Sequence, residues 1–258
     1  MSSLESPAPA VPLPDAPSQK VWKFWGTALW GALIFAAMFA GQFALVACFL
    51  VLKGPPFDLA SMRTVAGSGT VISLSVMMGL PAVFAVLWLA TRLSGTRFAE
   101  YLALRRTSWS NLAIGIVALA VLVVGWDVVS RAIGREVAPG FMVDVLKSAQ
   151  ADGALWLLVI AFSIAAPATE ELMVRGFLYR GWSQSFLGPV GAIVLSSLVW
   201  TAMHAQYYDW FLFSEVMSIG LVLGLMRWRS NSTWLTIIMH GLNNFAATLQ
   251  TIWLAGQT

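Results

Sequence analysis

Glu170, Glu171 and Arg175 put three formal charges within six residues of a stretch, APATEELMVRGF (166–177), that is otherwise apolar. An ionisable group at a bilayer centre costs roughly 2.5–3.5 kcal/mol on insertion scales, so it faces a bundle interior and has a partner. Glu171 and Arg175 are four residues apart, acid before base, and share one helix face. Their spacing predicts an internal ion pair that leaves Glu170 to address something else. Pro167 removes a backbone donor just upstream; in α-helical register the carbonyl it leaves unpaired is that of Ser163.

The chain has two histidines, and both lie in apolar surroundings: His204 in SLVWTAMHAQ, one turn after Trp200, and His240 in IIMHGLNNF. Asn244 follows His240 by one turn on the same face, and Asn243 precedes it directly. Residue 187, midway between Glu170 and His204, falls in the turn-like LGPVG (187–191), so antiparallel helices meeting there bring the two to similar depth. Each signal has a plain packing alternative. An acid pair with an i,i+4 arginine is often a solvated face, a histidine at a helix end an interfacial residue, and Asn244 interhelical glue.

A glutamate, two imidazoles and an amide that converge suit hydrolysis. A carboxylate takes a proton from water while an imidazole orients it. A second imidazole and an amide can then donate to the oxyanion. Serine chemistry is poorly supported, since no G-x-S-x-G occurs. Zinc held by Glu170, His204 and His240 is the alternative, ranked second because no H-E-x-x-H helix is present.

These residues need helices in lipid to position them. Of the 258 residues 59% are hydrophobic and 10% charged, far below the quarter usual in soluble domains. With 13 Trp and 11 Met, the composition predicts an all-α, polytopic transmembrane bundle of about seven spans, or eight at most. Apolar runs of about 20 residues place the spans near 28–52, 69–90, 111–129, 154–181, 187–206, 210–228 and 233–253. Gly220 and Gly224 form a small-xxx-small pair for close helix packing. Asp127 and Glu215 are further acids within spans. Residues 1–20, with five prolines, read as a flexible tail and not a signal peptide. Residues 21–153 form an amino-terminal set of spans without a motif, and residues 154–258 the catalytic core.

Lys20, Lys23, Arg92, Arg97, Arg105, Arg106, Arg180, Arg227 and Arg229 fall on the side of the amino terminus; Lys53, Arg63, Arg131, Arg135 and Lys147 fall on the other. This bias favours a cytoplasmic amino terminus. Basic residues scattered between apolar runs exclude nucleic acid as a partner despite the net charge of +3. Cys48 is the single cysteine, so no intrachain disulfide forms.

EELMVR (170–175), WTAMH (200–204) and HGLNN (240–244) resemble, in order, the E-E-x-x-x-R, F-x-x-x-H and H-x-x-x-N patterns of the CAAX protease and bacteriocin-processing (CPBP, or abortive-infection) family. Trp200 stands where the pattern has phenylalanine. The resemblance covers roughly residues 154–250. It implies a metal-independent intramembrane endopeptidase, CAAX prenyl protease-like, of a bacterial inner membrane, acting on a peptide or lipidated peptide. On that resemblance Glu170 activates water, His204 positions it, His240 and Asn244 form the oxyanion site, and Glu171 and Arg175 support the geometry. A non-catalytic immunity or scaffold protein that binds a membrane peptide is the alternative. A proton-coupled transporter ranks third, since paired discontinuous helices are missing.

Overall fold

A computed structural model describes residues 21–136, 140–205 and 209–255; the Pro-rich tail expected at 1–20 lies outside them. All regular elements among these residues are helices. In chain order they are α1 (Phe24–Lys53), α2 (Leu59–Gly67), α3 (Gly69–Leu93), α4 (Phe98–Tyr101), α5 (Trp109–Ala132) and α6 (Gly140–Ala151). There follow α7 (Leu155–Ile160), α8 (Ala166–Glu171) and α9 (Tyr179–Ser183), then α10 (Gly188–Ala202), α11 (Trp210–Ser230) and α12 (Thr233–Ala255). Helices α7, α8 and α9 are one rod, joined by π-helical segments at Ala161–Ala165 and Leu172–Leu178.

The helix starts follow local chemistry. Ser68, Ser108 and Asp209 accept hydrogen bonds from the backbone N–H of Val71, Asn111 and Phe211, opening α3, α5 and α11. Asn231, left-handed at φ 49°, closes α11 and lets the chain reverse into α12.

Five helices are long and apolar enough to cross a membrane: α1, α3, α5, the Leu155–Ser183 rod and α11. The expectation of seven or eight spans is not confirmed, for two physical reasons. The run expected at 187–206 gives a helix of only 15 residues, rising about 22 Å, short of the roughly 30 Å hydrocarbon core. The last, α12, has the length at 23 residues but carries His240, Asn243, Asn244 and Gln250, which dilute its apolar character. Two of the connectors between the expected spans contain the helices α2 and α6.

The Leu155–Ser183 rod is the inner helix. Half of its apolar window is buried, against 11% for both α1 and α5. It packs against α1, α3, α10 and α12. The small-residue pair of α11 lets α10 approach: a methyl at Gly224 would lie 2.8 Å from Ile193 Cγ2, and one at Gly220 would meet Ser197 and Trp200 at 3.1 Å. That approach brings Trp200 and His204 to the rod.

Candidate active site

The charged centre is built from within the rod. Glu171 and Arg175 are fully buried, and Arg175 Nη1 donates to Glu171 Oε1 at 2.7 Å. Arg175 Nη2 donates to the carbonyl of Gly220 on α11 at 3.0 Å, so the cation is tied to two helices. The ion pair is the one expected from the i,i+4 spacing. His240 joins it from α12, with Nδ1 3.1 Å from the same Glu171 oxygen.

Glu170 points elsewhere. The indole Nε1–H of Trp200, one helix away on α10, donates to Glu170 Oε2 at 2.5 Å. One turn on, Nδ1 of His204 lies 2.9 Å from the carbonyl oxygen of Trp200. A carbonyl only accepts, so Nδ1 carries a proton. Glu170 and His204 both line a cavity of about 190 Å³, together with Met38, Gln42, Val76 and Met203. The cavity thus has polar groups from α8 and from just past the end of α10, facing side chains of α1 and α3.

Asn244 reaches the rod at its first irregular turn. The N–H of Ala166 bonds to the carbonyl of Ala161, five residues back. In this wider register the donor due to Phe162 is residue 167, a proline with no N–H. Asn244 Nδ2 supplies the missing bond, donating to Phe162 O at 3.1 Å. The α-helical count names the Ser163 carbonyl; the π register adds Phe162 as a carbonyl that Pro167 cannot serve. Gly241 makes the approach feasible, since a methyl there would sit 2.6 Å from the Ser163 carbonyl oxygen. Asn243 Nδ2 lies 3.5 Å from Asn244 Oδ1.

The structure thus gathers Glu170 and His204 at one cavity, with Trp200 bonded to Glu170 behind it, and Glu171, Arg175 and His240 in an adjoining buried cluster. The Trp200 ring links them, its centroid 4.8 Å from that of His204 and 5.3 Å from that of His240. Asp127 of α5 accepts from Gln250 of α12 at 2.7 Å, a separate polar contact. Sequence reasoning missed Gln42, a cavity-lining amide whose signal was its place in an otherwise apolar run. Among the described residues no three His, Cys, Asp or Glu side chains are grouped as a metal ion requires. Nδ1 of His240 is turned to Glu171, and an indole stands between the two imidazoles. The zinc set Glu170, His204 and His240 therefore does not fit this arrangement.

Residues 152–246 match the family described as Rce1-like, type II CAAX prenyl endopeptidase. Over 125 residues the chain is 27% identical to an uncharacterized 24.3 kDa protein of Escherichia coli. That match takes in 48% of this chain and 56% of that protein, so the chain spans little more than half the length of this relative. No solved structure matches the chain.

Proposed function

We propose that this chain, a member through residues 152–246 of the CAAX protease (CPBP) family, is a multi-pass membrane endopeptidase that hydrolyses a peptide bond with Glu170-activated water. The observation that carries the reading is one cavity lined by both Glu170 and His204, with Met38, Gln42 and Val76 across from them. The Glu170 carboxylate and the His204 imidazole, both lining that cavity, are the groups that hold and orient the water.

In the reaction the water gives a proton to Glu170 as its oxygen bonds to the scissile carbonyl carbon. The resulting oxyanion needs donors. One hydrogen of the Asn244 amide is used on Phe162, which leaves the second. His240, with Nδ1 directed at Glu171, can donate from Nε2 only when its ring carries both protons. Glu170 then passes its proton to the leaving nitrogen as the C–N bond breaks. Glu171 and Arg175 do not touch the water; they hold His240 and the rod in place.

The substrate is a membrane-associated or C-terminal peptide, lipidated or not, and the setting a bacterial inner membrane with the amino terminus in the cytoplasm. The charge distribution supports that orientation. Among described residues the amino-terminal side has Lys23, Arg92, Arg97, Arg105, Arg106, Arg180, Arg227 and Arg229 against one acid, Glu100.

The test is cleavage in liposomes of a library of C-terminal and juxtamembrane peptides, prenylated and plain. Wild type should cut some of them, and His240→Ala should lose turnover by about 10²-fold or more while staying folded. A folded wild type that binds peptides and cuts none would favour the scaffold reading. Activity lost to a chelator and restored by zinc would overturn the metal-free mechanism.

A further inference from the structure

We propose that Trp200 is a positioning residue of this site, its indole N–H being the group that fixes the Glu170 carboxylate. The inference rests on the endopeptidase reading above and deepens it.

Glutamate has three rotatable bonds, and on a helix its two oxygens can exchange places by rotation about the last of them. A base that must meet one water in one direction needs that rotation stopped. The Trp200 indole does this. It is a donor only, it is 3% exposed, and it donates to Glu170 Oε2 at 2.5 Å. With Oε2 engaged, Oε1 is the oxygen left for water.

The ring itself is held still. The Arg175 guanidinium carbon lies 4.8 Å from the Trp200 ring centre, within cation–π range. Arg175 is in turn fixed by Glu171 and the Gly220 carbonyl. The rings of His204 and His240 both meet the indole edge to face, at interplanar angles of 67° and 87°. One side chain therefore touches the base, the cation and both imidazoles.

Packing alone would not produce this contact. A buried indole needs some acceptor, and a backbone carbonyl suffices: Trp22 donates to the carbonyl of Ala90 and Trp182 to that of Phe24. Trp200 is aimed instead at the carboxylate assigned as the base. Phenylalanine, the residue in the resembled pattern, would fill the same ring volume and leave Glu170 without this donor.

The experiment uses the full chain in detergent micelles, with indole nitrogens labelled for NMR. The Trp200 signal, identified by its loss in Trp200→Phe, should lie at the downfield edge of the 13 indoles and move upfield in Glu170→Ala. In parallel, Trp200→Phe should cut a quenched fluorescent peptide with three residues after a farnesylated cysteine with kcat down about 10- to 100-fold and KM within about twofold of wild type. A Trp200 signal that Glu170→Ala leaves in place overturns the proposal, whatever the reporter shows. So does a folded Trp200→Phe variant with wild-type kcat. Should Trp200→Phe not fold, the Glu170→Ala spectrum decides alone: a downfield indole signal must move, and a spectrum in which none moves overturns the proposal. Failure of the underlying reading looks different, because Glu170→Ala itself would then cut the reporter as fast as wild type.

Discussion

Helix α5 and the Leu155–Ser183 rod are both apolar enough to cross a membrane, yet they are built in opposite ways. Helix α5 has a mean hydropathy of 2.5, is 11% buried over its apolar window, and is α-helical from Trp109 to Ala132. The rod has a mean hydropathy of 1.7, is half buried, and is twice loosened into π register. A lipid-facing helix must satisfy every carbonyl from its own backbone, because hydrocarbon offers no donor. An enclosed helix can lend carbonyls to neighbours. Both π segments do so: Phe162 O accepts from Asn244 of α12, and Arg175 O accepts from Arg227 Nε of α11 at 3.1 Å. Irregular backbone inside the bundle is thus supported by side chains from outside the rod, and Glu170, the candidate base, sits on the rod between the two supported segments.

The contrast can be broken most severely at the ion pair. Arg175→Met leaves Glu171 buried without its cation, and should cost about 3–5 kcal/mol, read by thermal unfolding in detergent. A loss below about 1 kcal/mol would mean that the rod does not depend on its buried charges. Next comes Asn244→Leu, which strands the Phe162 carbonyl. It should cost about 1–3 kcal/mol and raise hydrogen exchange around 161–166 while leaving α5 untouched. If exchange there stays as in wild type, the π turn needs no donor from α12.

Helix α5 supplies the contrary expectation. Val121 is 69% exposed, facing lipid, so Val121→Ala should change stability by less than about 0.5 kcal/mol. The smallest effect lies outside the spans, at the start of α2. Asp58 accepts from the Ser61 N–H at 2.7 Å, and that bond holds its carboxyl below the ordinary carboxylate range. A group with a depressed folded pKa stabilises above its unfolded value and loses that contribution as pH falls through the folded one. Amide protection at Ser61 should therefore fall on strong acidification, and Asp58→Asn should make it insensitive to pH.

How much of this was legible in the sequence follows from the range of each interaction. The Glu171–Arg175 pair is a matter of helix spacing and needs no tertiary knowledge. That the 187–191 turn would bring Glu170 and His204 to similar depth was readable from their spacing along the chain. The bond from Trp200 to Glu170 was not, because it depends on how α10 rotates against the rod, which Gly220 and Gly224 help to set by close approach. Nor was the π register, since Pro167 announces a missing donor without saying which carbonyl loses it. The span count failed to resolve for a related reason. Hydropathy runs on past Ala202, but the helix stops there, and in α12 the polar side chains that face the rod lower the very signal that marks a span.

The central claim is that Glu170 and His204 share one attacking water, and Glu170→Gln tests it with almost no change of shape. The variant should bind a peptide that wild type cleaves with unchanged affinity and cut it at least about 10³-fold more slowly. Cleavage within about tenfold of wild type would contradict the account.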